Sequence, residues 1–449
     1  MNRRHFLLLV AASTLLSACA IFPRDEASNP PIIFVHGNGG LAAQWTRTIW
    51  RFESNGWPRD RLFAFGVAHP FARQEDAKPQ EGTTSTSEHT AQLAAEVERV
   101  RRLTGADKVV LIAHSRGGYA VRDYVRNGAG KQTVSKAILC GTPNHGVYST
   151  PEYNPGSEFN GTAPFLAALN APQGPNGEEV TPGVQVMTIR ADGGDRYAQP
   201  DGQYIGQPKL RTNVSSDGPA LKGAENIVLA GADHQDVAFS AEAFGHMYRF
   251  IAGKNPKTVD VTPERTLLVG GPINSLLRDS RTNLPLAGAM VEVFEVSPTT
   301  GERIGPAVHS RTTSADGEWG PFSAKPGASY EFVVRAEGYA TTHTYRAPFP
   351  RSSQLVDLTP ARLSDDDRKA GSVVQMAKVG GYLGLDRDRA SIDGKNPPGI
   401  GTGIRVTGLS ALRVPDDTVR SLVVELNGER IVVRTWPTRE NNYVRAVFP

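Results

Sequence analysis

Apolar residues in the first half of the chain gather into short unbroken runs separated by stretches with helical spacing. The runs are Ile32 to Val35, Leu62 to Phe65, Val109 to Ala113, Lys136 to Cys140, Val184 to Ile189 and Ile227 to Ala230. Each is too short for a helix and lacks polar alternation, the pattern of strands buried on both faces. Between the runs, Leu93, Val97, Val100 and Leu103 recur at helical spacing behind the capping box Ser85-x-x-Glu88. Tyr119, Val121, Tyr124 and Val125 make a second such face, stopped by Asn127-Gly128, and Phe239, Ala243, Phe244, Met247 and Tyr248 make a third. Alternating strands and helices predict an α/β domain over residues 30–255, with a mostly parallel sheet covered on both faces.

Two regions break this rhythm. Residues 143–182 are rich in Gly, Pro and Asn apart from a short helical stretch, Phe165 to Asn170. A segment this long follows a strand end, so it reads either as a wall of a substrate cleft or as a surface insertion without contact to substrate. From Thr262 onward β-branched runs punctuated by Gly and Pro replace the helical patterns, an all-β signature. We divide it into sandwich modules at residues 262–362 and 363–449. Asn427-Gly428 between Val419–Leu426 and Glu429–Thr435 predicts a hairpin in the second. The acidic run Asp365-Asp366-Asp367 reads as a solvated linker.

Chemistry concentrates where the third apolar run ends. In Val109-Val110-Leu111-Ile112-Ala113-His114-Ser115-Arg116-Gly117-Gly118-Tyr119 a buried strand enters a glycine turn with one serine at its tip, and a helix follows. That arrangement resembles the nucleophile elbow of α/β-hydrolases. With Ala113 in place of the more usual glycine, it is similar to the AHSxGG-type bacterial lipases. The loop His36-Gly37-Asn38-Gly39-Gly40 and the segment Gly141-Thr142-Pro143-Asn144-His145-Gly146 extend the likeness over residues 30–252. The resemblance implies an α/β-hydrolase fold and a serine esterase or lipase, with Ser115 as nucleophile. It also implies an oxyanion hole from the backbone N–H groups of Asn38 and Arg116.

A serine hydroxyl needs a base oriented by a third group. His234 fits that role because it follows the last apolar run and precedes a helix, with His145 and His246 as competitors. Asp192 and Asp195 both lie between Ser115 and His234 in chain order, and spacing does not choose between them. The lipase resemblance, through the Asp-x-x-x-x-Pro shape of Asp195 to Pro200, favours Asp195. Likewise Leu284 to Val293, Thr312 to Trp319 and Tyr330 to Tyr339 resemble a transthyretin-like, carboxypeptidase-regulatory β-sandwich.

The amino terminus carries a different message. Arg3-Arg4-His5-Phe6-Leu7 followed by a short apolar stretch and Leu16-Ser17-Ala18-Cys19 resembles a twin-arginine leader ending in a lipobox, with residues 1–19 as signal and 20–29 as tether. The expectation is an exported protein lipid-anchored through Cys19, at the outer membrane. The only other cysteine is Cys140, so the mature chain has no internal disulfide available.

Charge adds only exclusions. The 449 residues hold 49 basic and 46 acidic side chains, and loss of Arg3 and Arg4 leaves 47 against 46. A near-neutral chain without long like-charge blocks argues against nucleic-acid binding. Neither a zinc-like ligand spacing nor a Walker lysine is present, so no metal and no cofactor is expected. The expected activity is hydrolysis of lipid or polyester ester bonds, with a polyhydroxyalkanoate depolymerase as the narrower alternative. An adhesion or glycan-binding lipoprotein with an inert hydrolase domain is the non-enzymatic alternative.

Overall fold

The computed structural model describes residues 29–449. The leader and Cys19 lie outside the described residues. Among those residues no helix is long and apolar enough to cross a membrane.

The apolar runs form β1 (Ile32–Val35), β2 (Leu62–Phe65), β3 (Val109–His114), β4 (Val134–Cys140), β5 (Gln185–Ala191) and β6 (Glu225–Leu229). They pair in parallel in the order β2-β1-β3-β4-β5-β6. Successive side chains of β1 face opposite ways, as strand pleating requires. Ile32 and Phe34 join Trp45, Phe52, Phe244 and Met247 in one core. Ile33 and Val35 join Leu93, Val97, Val121 and Tyr124 in another. Helices α1 (Thr46–Ser54) and α4 (Ala241–Ala252) supply the first layer, α2 (Thr86–Thr104) and α3 (Gly117–Asn127) the second. The result is an α/β-hydrolase-type sheet whose strand order reverses between β1 and β3. Loops leaving the carboxyl ends of these two strands diverge and open a crevice there.

Helix α2 begins as its sequence predicts. The Ser85 hydroxyl accepts the Glu88 amide (3.2 Å), and the Glu88 carboxylate accepts the Ser85 amide (2.9 Å). Its buried face differs at one position: Thr104 is buried and Leu103 is 62% exposed. At 100° per residue, position 103 lies about 80° off the stripe set by Leu93, Val97 and Val100, whereas position 104 returns to it.

Downstream, one seven-stranded sheet runs through both β regions. Its order is His309–Thr312, Met290–Val296, Ser329–Arg335, Thr341–Arg346, Asn442–Phe448, Ser372–Lys378, Leu409–Val414. The parallel pairing of Thr341–Arg346 with Asn442–Phe448 joins segments on either side of residue 363. Residues 262–362 and 363–449 therefore share a sheet, and each covers an edge the other would expose. The hairpin forms at Asn427 and Gly428, both at positive φ (51° and 90°). The acidic run is not a free linker. Asp365–Arg368 is one helical turn capped by Ser364, and Asp367 is buried against Arg413 (2.8 Å).

The β region is fastened to the α/β domain. Trp50 of α1 points away from its own sheet into the core of Val269, Trp319 and Phe332, and its indole N–H donates to the Ser352 carbonyl (2.8 Å).

Candidate active site

Ser115 is the first residue after β3, and its φ of +52° places a non-glycine residue in the left-handed region. Such a conformation costs on the order of 1–3 kcal/mol and persists only where neighbours enforce it. Here the Ser115 amide donates to the Cys140 carbonyl (2.8 Å) and its carbonyl accepts from Gly118 (3.0 Å). The crowding explains the glycines. A Cβ at Gly117 would sit 2.6 Å from the His36 carbonyl oxygen, and one at Gly37 would sit 2.8 Å from the Ser115 Cβ. Gly117→Ala should therefore force the β1 loop and the serine turn apart. The expected loss is about 1–3 kcal/mol of stability, read from a urea melt, together with most of the activity.

Ser115 lines a cavity of about 190 Å³ with Asn38, Tyr148, Phe159, Tyr197 and His234. Among the described residues its hydroxyl makes no hydrogen bond to a protein group. Opposite it, His234 Nδ1 is bonded to Asp195 Oδ2 at 2.7 Å. Asp195 Oδ1 accepts the Tyr197 amide (2.8 Å), and the Tyr197 ring packs edge-on against the His234 ring at 4.5 Å between centroids. Asp192 takes another job: both its oxygens accept the Gly231 amide (3.0 and 3.1 Å), closing the turn after β6. The competing histidines lie elsewhere. His145 is bonded to Glu179 (3.1 Å), and His246 faces Arg249 (3.3 Å) on α4.

Asn38 lines the cavity and Arg116 follows Ser115 in the turn, and the backbone N–H of each has no acceptor within the protein among the described residues. The Asn38 side chain is occupied, its Oδ1 accepting from the Ala72 amide (2.8 Å). His36 fixes the loop from behind. Burial lowers its pKa to about 4, so the ring is neutral: Nδ1–H donates to the Gly37 carbonyl (2.8 Å) and Nε2 accepts from the Val67 amide (3.0 Å). His114 is likewise held neutral, its pKa lowered to about 3 by burial and by His234. Its Nε2–H then donates to the His234 carbonyl (2.8 Å), tying the serine strand to the histidine loop.

The 143–182 segment is a wall of the cavity. Val147, Tyr148, Tyr153 and Phe159 line it, and buried Glu158 grips the Arg116 guanidinium through two contacts, one of them at 3.3 Å. Burial pushes the Glu158 carboxyl up, and Arg116 opposes that shift.

Three contributions come from the β region and had no signal in the sequence, because their contacts lie more than a hundred residues away along the chain. Tyr382 lines the cavity. Arg405 and Arg387 bind Asp233 at 2.9 and 3.2 Å, next to His234, and Arg387 also reaches Asp236 (2.6 Å). Burial alone would raise the Asp233 carboxyl, but the Asp236 amide, these two arginines and the Gln235 amide outweigh it and hold it low. Asn283 donates to the carbonyls of Val67 (2.7 Å) and Gly40 (3.3 Å), bracing the Asn38 loop. Asn283→Ala leaves those carbonyls without a donor and loosens the loop. We expect kcat to fall roughly tenfold with little change in KM, in steady-state assays with a soluble ester.

Two family models match segments of the chain. Residues 29–149 match the family described as Lipase (class 2). That stretch of the chain is similar to class 2 lipases. Residues 273–363 match the Lipase C-terminal domain, so the first β region also has its counterpart among lipases. Among solved structures, the lin2722 gene product of Listeria innocua is 17% identical with a TM-score of 0.36, covering 52% of this chain and 97% of its own. The mature Bacillus licheniformis lipase BlEst2 is 18% identical with a TM-score of 0.35, covering 50% and 93%. Its propeptide form is 13% identical with a TM-score of 0.36 and covers 91% and 92%. The match over residues 29–149 supports a hydrolase of the lipase and esterase type.

Proposed function

We propose that this chain is an exported serine hydrolase of lipid or polyester esters that works through an acyl-enzyme. The carrying observation is that Ser115 and His234 share one cavity while Asp195 holds His234 Nδ1 at 2.7 Å. With Nδ1–H committed to the carboxylate, Nε2 is left as the basic nitrogen.

Ser115 Oγ attacks the ester carbonyl carbon while His234 Nε2 takes the hydroxyl proton. The carbonyl oxygen becomes an oxyanion, met by the amides of Asn38 and Arg116. Collapse of this adduct breaks the bond to the alcohol oxygen, which leaves with the proton from His234. Water then repeats the sequence on the acyl-serine and frees the carboxylic acid. Each oxyanion donor contributes roughly 10² to 10³ in rate. An apolar and aromatic lining of Val147, Tyr148, Tyr153, Phe159 and Ile205 suits an acyl chain.

The leader supports anchoring of the mature chain at the outer membrane through a lipid on Cys19. Cys19→Ser should then move the protein from the membrane pellet to the soluble fraction after cell lysis, as read by immunoblot.

A fluorophosphonate probe tests the catalytic reading directly. The expected result is a single adduct on the tryptic peptide containing Ser115, formed at the rate at which esterase activity disappears. Full ester hydrolysis with Ser115 unlabelled would sink this assignment. An inert domain on an adhesive lipoprotein would show neither labelling nor turnover.

A further inference from the structure

A second cavity, of about 180 Å³, lies at the seam between the α/β domain and the β region, and Gln235 and Tyr382 line both it and the cavity of Ser115. Its walls carry an unusual charge. Arg47, Arg281, Arg346, Lys378 and Arg445 face it, with Asp357 as the one acidic side chain in the lining. Arg47 is taken up by the Pro449 carbonyl (2.8 Å) and Lys378 by Asp388 (3.3 Å). Asp357 spends one oxygen on the Thr359 amide and hydroxyl (2.9 and 2.6 Å). Arg281, Arg346 and Arg445 are left with no carboxylate within ion-pair distance among the described residues.

These guanidinium groups are not simply bathed in solvent. Arg346 is buried, and burial lowers its pKa to about 10 with only Asp357 opposing. Burial lowers Arg445 as well. Arg445 Nε and Thr344 Oγ1 are buried with no hydrogen-bond partner. Phe349 and Tyr443 stack near the two arginines at 5.1 and 5.6 Å, which orients the planar groups without neutralising them. Taking a guanidinium out of water without a counter-ion is costly, and removing one partner of a buried pair leaves the same penalty. A cavity built from several such groups has the electrostatics of a site waiting for an anion, and arginine's planar fork matches carboxylate and phosphate geometry.

We propose that this seam cavity binds an oxyanion group, a carboxylate or a phosphate, between Arg281, Arg346 and Arg445. The group is either a free ion or the charged end of an ester whose reacting carbonyl lies on the other side of Gln235 and Tyr382. The second source rests on the catalytic reading above; the binding site itself does not.

Binding is tested without any assay of activity. The whole mature protein, Arg346→Gln and Arg281→Gln are titrated calorimetrically with inorganic phosphate at constant ionic strength in chloride. The expected result is saturable binding to the wild type, weakened at least about tenfold in each variant. In phosphate-free buffer Arg346→Gln should melt no lower than wild type, because the substitution removes a desolvated unpaired charge. Phosphate binding no stronger than chloride, or equal in wild type and both variants, overturns the proposal. So does a variant that melts lower without phosphate while the wild type ignores phosphate, since the arginine is then a structural strut.

Two chromogenic esters of equal acyl length, one ending in a methyl group and one in a carboxylate, separate the sources. An anion carried by the substrate gives the wild type a lower KM for the carboxylate-tipped ester, an advantage lost in both variants. A free ion leaves the two esters equal in all three proteins while phosphate binding persists. If neither ester is hydrolysed, the catalytic reading fails and the calorimetric result still stands.

Discussion

Alanine at position 115 should lower kcat/KM toward chromogenic acyl esters by about 10⁶, and alanine at 234 by a similar factor, with the double variant little worse than either. This non-additivity is the informative part. If Ser115 and His234 act as one proton-transfer unit, removing either member disables the other, and residual turnover comes from the Asn38 and Arg116 amides and from binding. Position 195 should behave differently. Asp195→Asn keeps the shape but offers an amide to His234 Nδ1, now 2.7 Å from Oδ2, and so favours the wrong tautomer; a loss of about 10⁴ is expected. Asp192→Asn weakens only the turn closed on Gly231 and should cost less than tenfold. The two Asn variants compared by initial rates decide between the aspartates, and a large effect at 192 with little at 195 would reverse the assignment. Factors multiplying in the double variant would mean that Ser115 and His234 contribute separately.

What the chain announced in advance was local. The runs Ile32–Val35 and Val109 to Ala113 are apolar on every residue because both faces are covered, so hydrophobicity alone located them. The serine turn was legible because a positive φ next to a close strand-to-strand approach demands glycines around it, and Gly37, Gly117 and Gly118 supply them. The choice between Asp192 and Asp195 was not legible from spacing. Both follow the same strand, and only the path of the 192–213 loop decides which one faces the imidazole.

Least legible were the groups delivered from the β region. Asn283 sits on the short strand Ser280–Pro285, and Tyr382, Arg387 and Arg405 sit on loops whose composition resembles any polar turn; their meaning comes from a docking surface that no local periodicity encodes. The shared seven-stranded sheet escaped for the same reason. A strand's pairing partner depends on the whole fold, so Thr341–Arg346 and Asn442–Phe448 read alike whether they close one sandwich or bridge two. The β region is therefore part of the apparatus around the cavity as well as an appendage to the α/β domain. Excising it should expose the Asp233 loop and cost activity along with stability.

Acid should unfold this protein steeply, and the reason surrounds Ser115. Burial lowers the pKa of His36 to about 4 and of His114 to about 3, and it holds His89 well below the ordinary value, with Arg116 adding repulsion at His36 and His89. In the unfolded chain all three titrate near 6.5. Above that pH they are neutral in both states, and their contribution to stability is fully present. As pH falls below 6.5 the unfolded chain takes up protons that the folded one refuses, and stability drops until the folded-state values are passed. Three such groups give a slope of up to about 4 kcal/mol per pH unit. Glu158, pushed up by burial, takes up a proton while folded and trims that slope by at most one proton. Urea midpoints at pH 7, 6 and 5 should therefore fall progressively, and His114→Asn should remove about a third of the dependence. Midpoints that stay flat across this range would show that the three rings are not buried and neutral together. Activity lost to this unfolding should return, after a jump back to pH 7, only as fast as the chain refolds.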